Sequence, residues 1–313
     1  MNDDKIDRRS VLAAGLAGGI GLATSARADS LKVYRDYTQA DLDASMDQTK
    51  WAANMKSVLG KWGPQSEQAR QTLTHHSVKY GTEPYQEIEI FPARDGAPIV
   101  FFVHGGEWKR PGNDTSAFPA LTLVPAGCAY VNVGFRAAPQ FKLTDMADDV
   151  RNALIWTARN ASSFGGDPSK IFVVGHSSGA HLGGVMLTTD WKANGLPADP
   201  IRGAVLFSGL YDLEPVLISM RREWVKLSAE ESLALSPLRH VAKVSAPTTV
   251  VFGENDSPEF RRQSHEFGDE LTSRAKGSRL VTAPGANHFE VPQTFMERDG
   301  FATRTLLERI GIA

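Results

Sequence analysis

Gly175-His176-Ser177-Ser178-Gly179 sets a serine hydroxyl between two glycines. The apolar run Lys170–Val174 before it reads as a strand, and the small-residue run Ala180–Leu187 after it reads as a helix. A serine at such a strand–turn–helix junction stands exposed at the strand's C-terminal edge, where it can attack a carbonyl carbon. A hydroxyl is a poor nucleophile at neutral pH, so Ser177 needs a base, and the base needs an orienting carboxylate. His288 is the candidate base, carried by the loop Pro284-Gly285-Ala286-Asn287-His288-Phe289 ahead of the last helical pattern. His240 lies in an interrupted region and His265 in a helix, so both fit that task less well. After the apolar run Thr248–Phe252 comes Gly253-Glu254-Asn255-Asp256-Ser257-Pro258, which offers Asp256 as the acid and Glu254 as its rival. The chemistry of this set is acyl transfer through a serine.

A tetrahedral oxyanion needs backbone donors. Phe101-Phe102-Val103 runs directly into His104-Gly105-Gly106-Glu107-Trp108, and glycines there allow the main chain close to the reacting carbon. We assign Gly105, Gly106 and Ser178 as the donors; losing one such donor typically costs about 3–4 kcal/mol of transition-state stabilisation. His104 is expected to shape the loop rather than act as a base. Trp108, Glu107, His104 and Tyr211 are expected to line the substrate pocket, with Trp108 beside the acyl group. Glu107 either repels anionic substrates, binds cationic ones or forms a surface ion pair.

The elements that must hold these residues follow from the hydrophobic pattern. Short apolar runs at 87–91, 99–103, 128–133, 171–174, 203–207 and 248–252 read as strands, and 145–159, 180–187 and 259–274 as helices. Continuous apolar strands alternating with helices imply a mostly parallel sheet covered on both faces. This arrangement resembles the α/β-hydrolase fold, whose chain order of nucleophile, acid and histidine matches Ser177, Asp256 and His288. Residues 210–242 break the rhythm and read as a small helical cap. Ahead of the sheet, Thr38 and Asp41 suggest a capped helix start, and Trp51, Met55, Val58, Leu59 and Trp62 recur near helical spacing.

The chain opens with Asp7-Arg8-Arg9-Ser10-Val11-Leu12, an apolar run to Ala23, and Ala26-Arg27-Ala28. That order fits a twin-arginine export signal with a signal-peptidase site, and the run is too short to span a bilayer. We therefore expect a leader over 1–28, a helical extension over 29–79 and a catalytic domain over 80–313, working in a periplasm or outside the cell. The net charge of −2 comes with no basic cluster, which argues against nucleic acid as a partner. The one cysteine, Cys128, lies in an apolar strand and can form neither an internal disulfide nor a metal pair. The glycines of 15–21 belong to the leader, and Gly165-Gly166 precedes a strand instead of opening a helix, so no phosphate-cradling loop is present.

Several runs together resemble the arylformamidase (kynurenine formamidase) branch of the α/β-hydrolases. They are His104-Gly105-Gly106-x-Trp108, Gly175 to Leu182, Ser208-Gly209-x-Tyr211-Asp212-Leu213-Glu214-Pro215, and Asp256-Ser257-Pro258-Glu259-Phe260 followed by Arg262-Gln263-Ser264. The similarity runs from about Tyr80 to the C-terminus, and the Leu42-Asp43 and Trp51 stretch resembles that group's leading segment. The resemblance implies Asp256 as the acid over Glu254, no metal or organic cofactor, and removal of a formyl group from an aromatic amine. An export signal, and a carboxylate at Glu107, place hydrolysis of small carboxylic esters first and aryl-formamide hydrolysis second. The ester would carry a short acyl group and an apolar or aromatic leaving group. A small-molecule partner is expected, without nucleic acid or stable membrane association, and a homodimer is compatible with this reading. A non-catalytic binding module is the remote alternative, since such relatives lose the nucleophile or the histidine and this chain keeps both.

Overall fold

The computed structural model describes residues 31–312, so the expected leader and its arginine pair lie outside the described residues. A two-stranded ribbon, β1 (Lys32–Tyr34) and β2 (Tyr37–Thr38), precedes an eight-stranded sheet. Its strands are β3 (His76–Lys79), β4 (Glu87–Phe91), β5 (Ala97–Val103), β6 (Ala129–Val133), β7 (Gly166–His176), β8 (Ile201–Phe207), β9 (Thr248–Gly253) and β10 (Arg279–Ala283). They lie in the order β10-β9-β8-β7-β5-β6-β4-β3, parallel from β10 to β6 and antiparallel at β4 and β3.

The central strands are apolar on both faces because both faces are covered. Ile99, Phe101 and Val103 of β5 enter one core, while Val100 and Phe102 enter the other. The alternation is the two-residue period of a strand. The helices Leu143–Asn160, Ser178–Leu187 and Pro258–Arg274 are the three expected from the pattern, each within two residues of its expected ends. The edge strands β3 and β10 went unread because each keeps exposed or half-buried positions along most of its length. An edge strand carries no continuous apolar run, and β3, His-Ser-Val-Lys, is polar at three of four positions. The sheet therefore begins at His76, and the extension is shorter than the expected 29–79.

The extension consists of the helices Gln39–Met46 and Met55–Thr72. Thr38 caps the first in a reciprocal pair with Asp41, its side chain accepting from the Asp41 N–H while the Asp41 carboxylate accepts from the Thr38 N–H. Residues 210–242 form the short helices Glu214–Ile218 and Ala229–Ala234 with 3-10 turns between and after them. Among the described residues no helix is long and apolar enough to cross a membrane.

Candidate active site

The sheet delivers Ser177 at the C-terminal end of β7. Its φ is +56° and ψ is −122°, a conformation that non-glycine residues adopt only where the surroundings enforce it. The enforcement is main-chain: the Ser177 N–H donates to the Phe207 carbonyl of β8 at 2.9 Å, and the helix starts at the next residue. A Cβ on Gly179 would overlap the carbonyl oxygens of Val103 and His104, so only glycine lets the helix approach β5 this closely. Ser178 opens that helix, where the first N–H groups have no intrahelical partner and face outward along the axis.

The loop after β5 is left-handed over three residues: Gly106 has φ +129°, Glu107 +55° and Trp108 +60°. It brings Gly105 against the nucleophile, since a Cβ on Gly105 would stand 3.1 Å from that of Ser177. Gly105 and Gly106 line the cavity that holds Ser177, while Ser178 is buried behind it.

His288 and Asp256 sit on the loops after β10 and β9. Both are buried, and His288 Nδ1 lies 3.7 Å from Asp256 Oδ1. That separation exceeds a hydrogen bond; such contacts are commonly long before substrate binds and tighten with it. Burial pushes the Asp256 carboxyl up to about 7, an effect partly offset by the Ser208 hydroxyl and the Gly253 N–H, which donates to Oδ2 at 3.1 Å. Burial holds His288 well below its ordinary range, helped by His176 and the Arg221 charge. A neutral imidazole is the form that can accept a proton. Glu254, the rival acid, points away from this group and accepts from the Gly285 N–H at 2.7 Å. His240 and His265 lie elsewhere: His240 Nε2 bonds the Leu233 carbonyl at 3.1 Å, and His265 stacks on Phe252.

The cavity has a volume of about 250 Å³. Ser177, His288, His176, Gly105, Gly106 and Glu107 form its floor, and Gln48, Thr49, Met55, Leu59, Trp62 and Arg221 cover it. Of the four expected pocket residues only Glu107 lines it. Its carboxylate is bridged to Lys109 at 2.8 Å, and its carbonyl accepts from Trp224 Nε1 at 3.0 Å.

Trp108 does not stand beside the acyl group. The left-handed turn at Glu107 and Trp108 folds the indole inward, where it is buried edge-on to His181 and its Nε1 donates to His181 Nδ1 at 3.3 Å. His181 Nε2 donates to the Leu235 carbonyl at 2.8 Å, which leaves Nδ1 free to accept. His104 is also withdrawn from the cavity, stacked on Phe135 at 4.3 Å with Nδ1 donating to the Gly105 carbonyl at 2.6 Å. It shapes the loop, burial lowers it to about 3, and it does not line the cavity as His288 does. Tyr211 is stacked on Phe267 at 4.3 Å and fully buried, because the glycine at 209 lets its ring lie against the chain.

Sequence reasoning did not single out Arg221, Arg110, Gln48 or His176. Arg221 stands in Met220-Arg221-Arg222-Glu223, which reads as solvated surface. His176 was visible only as a variable position of the serine motif, yet it spans the site. Its Nε2 donates to the His288 carbonyl at 2.9 Å, and burial holds it near 4.

Comparison with known proteins agrees with this architecture. A family model described as the alpha/beta hydrolase fold matches residues 100–291. The kynurenine formamidase of Danio rerio is 29% identical over 293 residues, covering 89% of this chain and 98% of the relative. That of Salmo salar is 30% identical over 297 residues, with the same coverage of 89% and 98%. A probable carboxylic ester hydrolase of Mycobacterium tuberculosis, LipM, is 28% identical over 219 residues, 63% of this chain and 51% of the relative. Among solved structures, a putative thioesterase from Silicibacter sp. superposes with a TM-score of 0.74 at 23% identity, covering 84% of this chain and 97% of the other. A Pyrobaculum calidifontis esterase gives 0.66 at 19% identity, covering 86% and 95%. The family match spans more than half of the chain and includes the serine turn, the acid loop and the histidine loop, so the chain belongs to the α/β-hydrolase family of enzymes.

Proposed function

We propose that this enzyme is a serine hydrolase that cleaves small carboxylic esters with a short acyl group and an apolar or aromatic leaving group. The observation that carries the reading is Ser177, held at φ +56° at the floor of a small cavity that His288 also lines, with Asp256 buried behind the imidazole. In this reading Ser177 Oγ attacks the ester carbon as His288 takes its proton, and the oxyanion is met by the N–H groups of Ser178, Gly105 and Gly106. Asp256 orients the imidazole and stabilises its charged form. The imidazolium then protonates the leaving group. Water, deprotonated by His288, releases the acid from Ser177.

A second reading, aryl-formamide hydrolysis, is favoured by the kynurenine formamidase relatives, which align over 98% of their own length. The same steps then act on a formyl carbon, and His288 protonates an aniline nitrogen. The deciding experiment compares kcat/KM for p-nitrophenyl acetate, p-nitrophenyl hexanoate and N-formylkynurenine. The ester reading expects acetate to lead, and a lead of a hundredfold or more for the formamide would replace it with the second.

We also propose export of the protein by the leader. N-terminal sequencing of periplasmic material should begin at or near Asp29, and full-length protein in the cytosolic fraction of its host would contradict this.

A further inference from the structure

Arg221 is among the largest side chains buried in the protein, with 1% of its surface exposed, and it lines the cavity. Among the described residues it forms no ion pair. Its Nε and Nη2 edge is committed to one neutral acceptor, the Met46 carbonyl, at 3.2 and 2.6 Å, and Nη1 has no partner. The guanidinium is held between two rings, its Cζ 5.5 Å from the centroids of both Trp108 and Phe260. Phe260 in turn packs edge-on against His288 at 4.9 Å.

A buried cation without a counter-ion is strongly penalised unless something of opposite charge joins it. The nearby carboxylates of Glu107 and Asp47 favour its charge, but among the described residues neither forms an ion pair with it. Arg110, half-buried, lines the same cavity and adds a second positive charge; the Asp114 carboxylate favours that charge, and its Nη2 donates to the Ser116 hydroxyl at 3.4 Å. Among the described residues Glu107 is the one carboxylate lining the cavity, and Lys109 already engages it at 2.8 Å. Desolvation lowers both arginines, while His176 and His288 are held neutral. The lining thus sets two arginines against one carboxylate among the described residues, with a planar donor next to His288.

We infer that the substrate carries a carboxylate, and that Arg221 is the specificity-determining residue that receives it, with Arg110 adding to the field. This rests on the hydrolase reading of the same cavity and deepens it: Glu107 does not set the charge preference, and an apolar leaving group is incomplete without an anionic substituent. A guanidinium suits a carboxylate because both are planar and can form paired hydrogen bonds.

The test uses a matched pair, 4-acetoxybenzoate and its neutral isostere 4-acetoxybenzamide, on the purified mature chain. The expected kcat/KM favours the benzoate by tenfold or more, and the preference shrinks as salt rises. In Arg221→Gln the ratio should fall to near one, whatever the variant's overall rate; Arg221→Lys should keep an intermediate ratio. A wild-type ratio of one or below overturns the inference and leaves the esterase reading intact. If neither ester is turned over, the hydrolase reading of substrate fails. The inference is then decided by binding, with benzoate expected to raise Tm at concentrations where benzamide does not. The same binding arm decides it if the Arg221 variants fail to fold, and equal shifts from the two compounds would overturn it.

Discussion

The floor and the roof of the cavity are built by different means. The floor is fixed by main chain: Ser177 N–H to the Phe207 carbonyl, Ser208 N–H to the Val251 carbonyl at 2.7 Å, and a helix pressed onto β5 at Gly179. The roof is fixed by side chains that join distant parts of the chain. Gln48 Nε2 donates to the Ser257 hydroxyl at 2.7 Å, beside Asp256. Asn54 exchanges hydrogen bonds with the histidine loop, accepting from Asn287 Nδ2 at 2.8 Å and donating to Glu290 at 2.6 Å. The extension is thus a cover tied at separate points to the loops that carry Asp256 and His288. Backbone-built geometry resists single substitutions, whereas a side-chain tie can be cut one at a time.

The floor should therefore show the largest effects. Ser177→Ala and His288→Ala are each expected to lower kcat by about 10⁴-fold or more, with the double variant little worse than either, because the residues act as a unit. A fluorophosphonate should label Ser177 alone; labelling that survives Ser177→Ala would remove the floor from the chemistry.

Asp256→Asn separates catalysis from stability. Turnover should drop by about 10³–10⁴-fold as the imidazole loses its orienting partner, while Glu254→Gln changes it only a few-fold. The folded-state carboxyl is raised to about 7, so its favourable contribution is complete only below its unfolded range and is lost as pH rises through 7. At pH 8 the buried carboxylate is a net cost, and Asp256→Asn should raise Tm there, with the gap closing toward pH 4. A lower Tm for the variant at pH 8 would contradict that.

The two tryptophans divide between the regions. Trp108, buried under the floor loop, should cost about 3–5 kcal/mol of stability on Trp108→Ala, measured by denaturant unfolding. Trp62 lines the roof, so Trp62→Ala should mainly raise KM for aromatic leaving groups by about tenfold. Reversed outcomes would exchange their roles.

Acid should act on the floor before the roof. His104, His176 and His181 are buried and held near 3, 4 and 4, below their unfolded value. Their stabilising contribution is complete above about pH 6.5 and is lost as pH falls toward those values, about 2 kcal/mol each near pH 5. A Tm that stays flat between pH 7 and 5 would be inconsistent with this. The smallest effect belongs to the roof ties: Gln48→Ala and Asn54→Ala should each cost about 1 kcal/mol and raise KM several-fold. A loss in kcat as large as that of Asp256→Asn would show that the cover also positions the triad candidates.

The difference between floor and roof is also a difference in what could be read. Ser177, the glycine loop, Asp256 and His288 stood out as candidates because strand–turn–helix backbone demands particular residues at adjacent positions, and the demand is local. The sequence by itself also determined the parallel sheet, since strands covered on both faces must be apolar throughout. It did not disclose β3 or β10, whose edge positions need no apolar run. Nor could spacing show that Trp108 turns inward: two consecutive left-handed residues decide that, and they depend on packing beneath the loop. The tertiary structure alone brought Gln48 to Ser257 across 209 residues and Arg221 to Met46 across 175. An arginine in a charged run looks solvated until folding removes the water around it, and only then does its lone neutral partner make it a binding group.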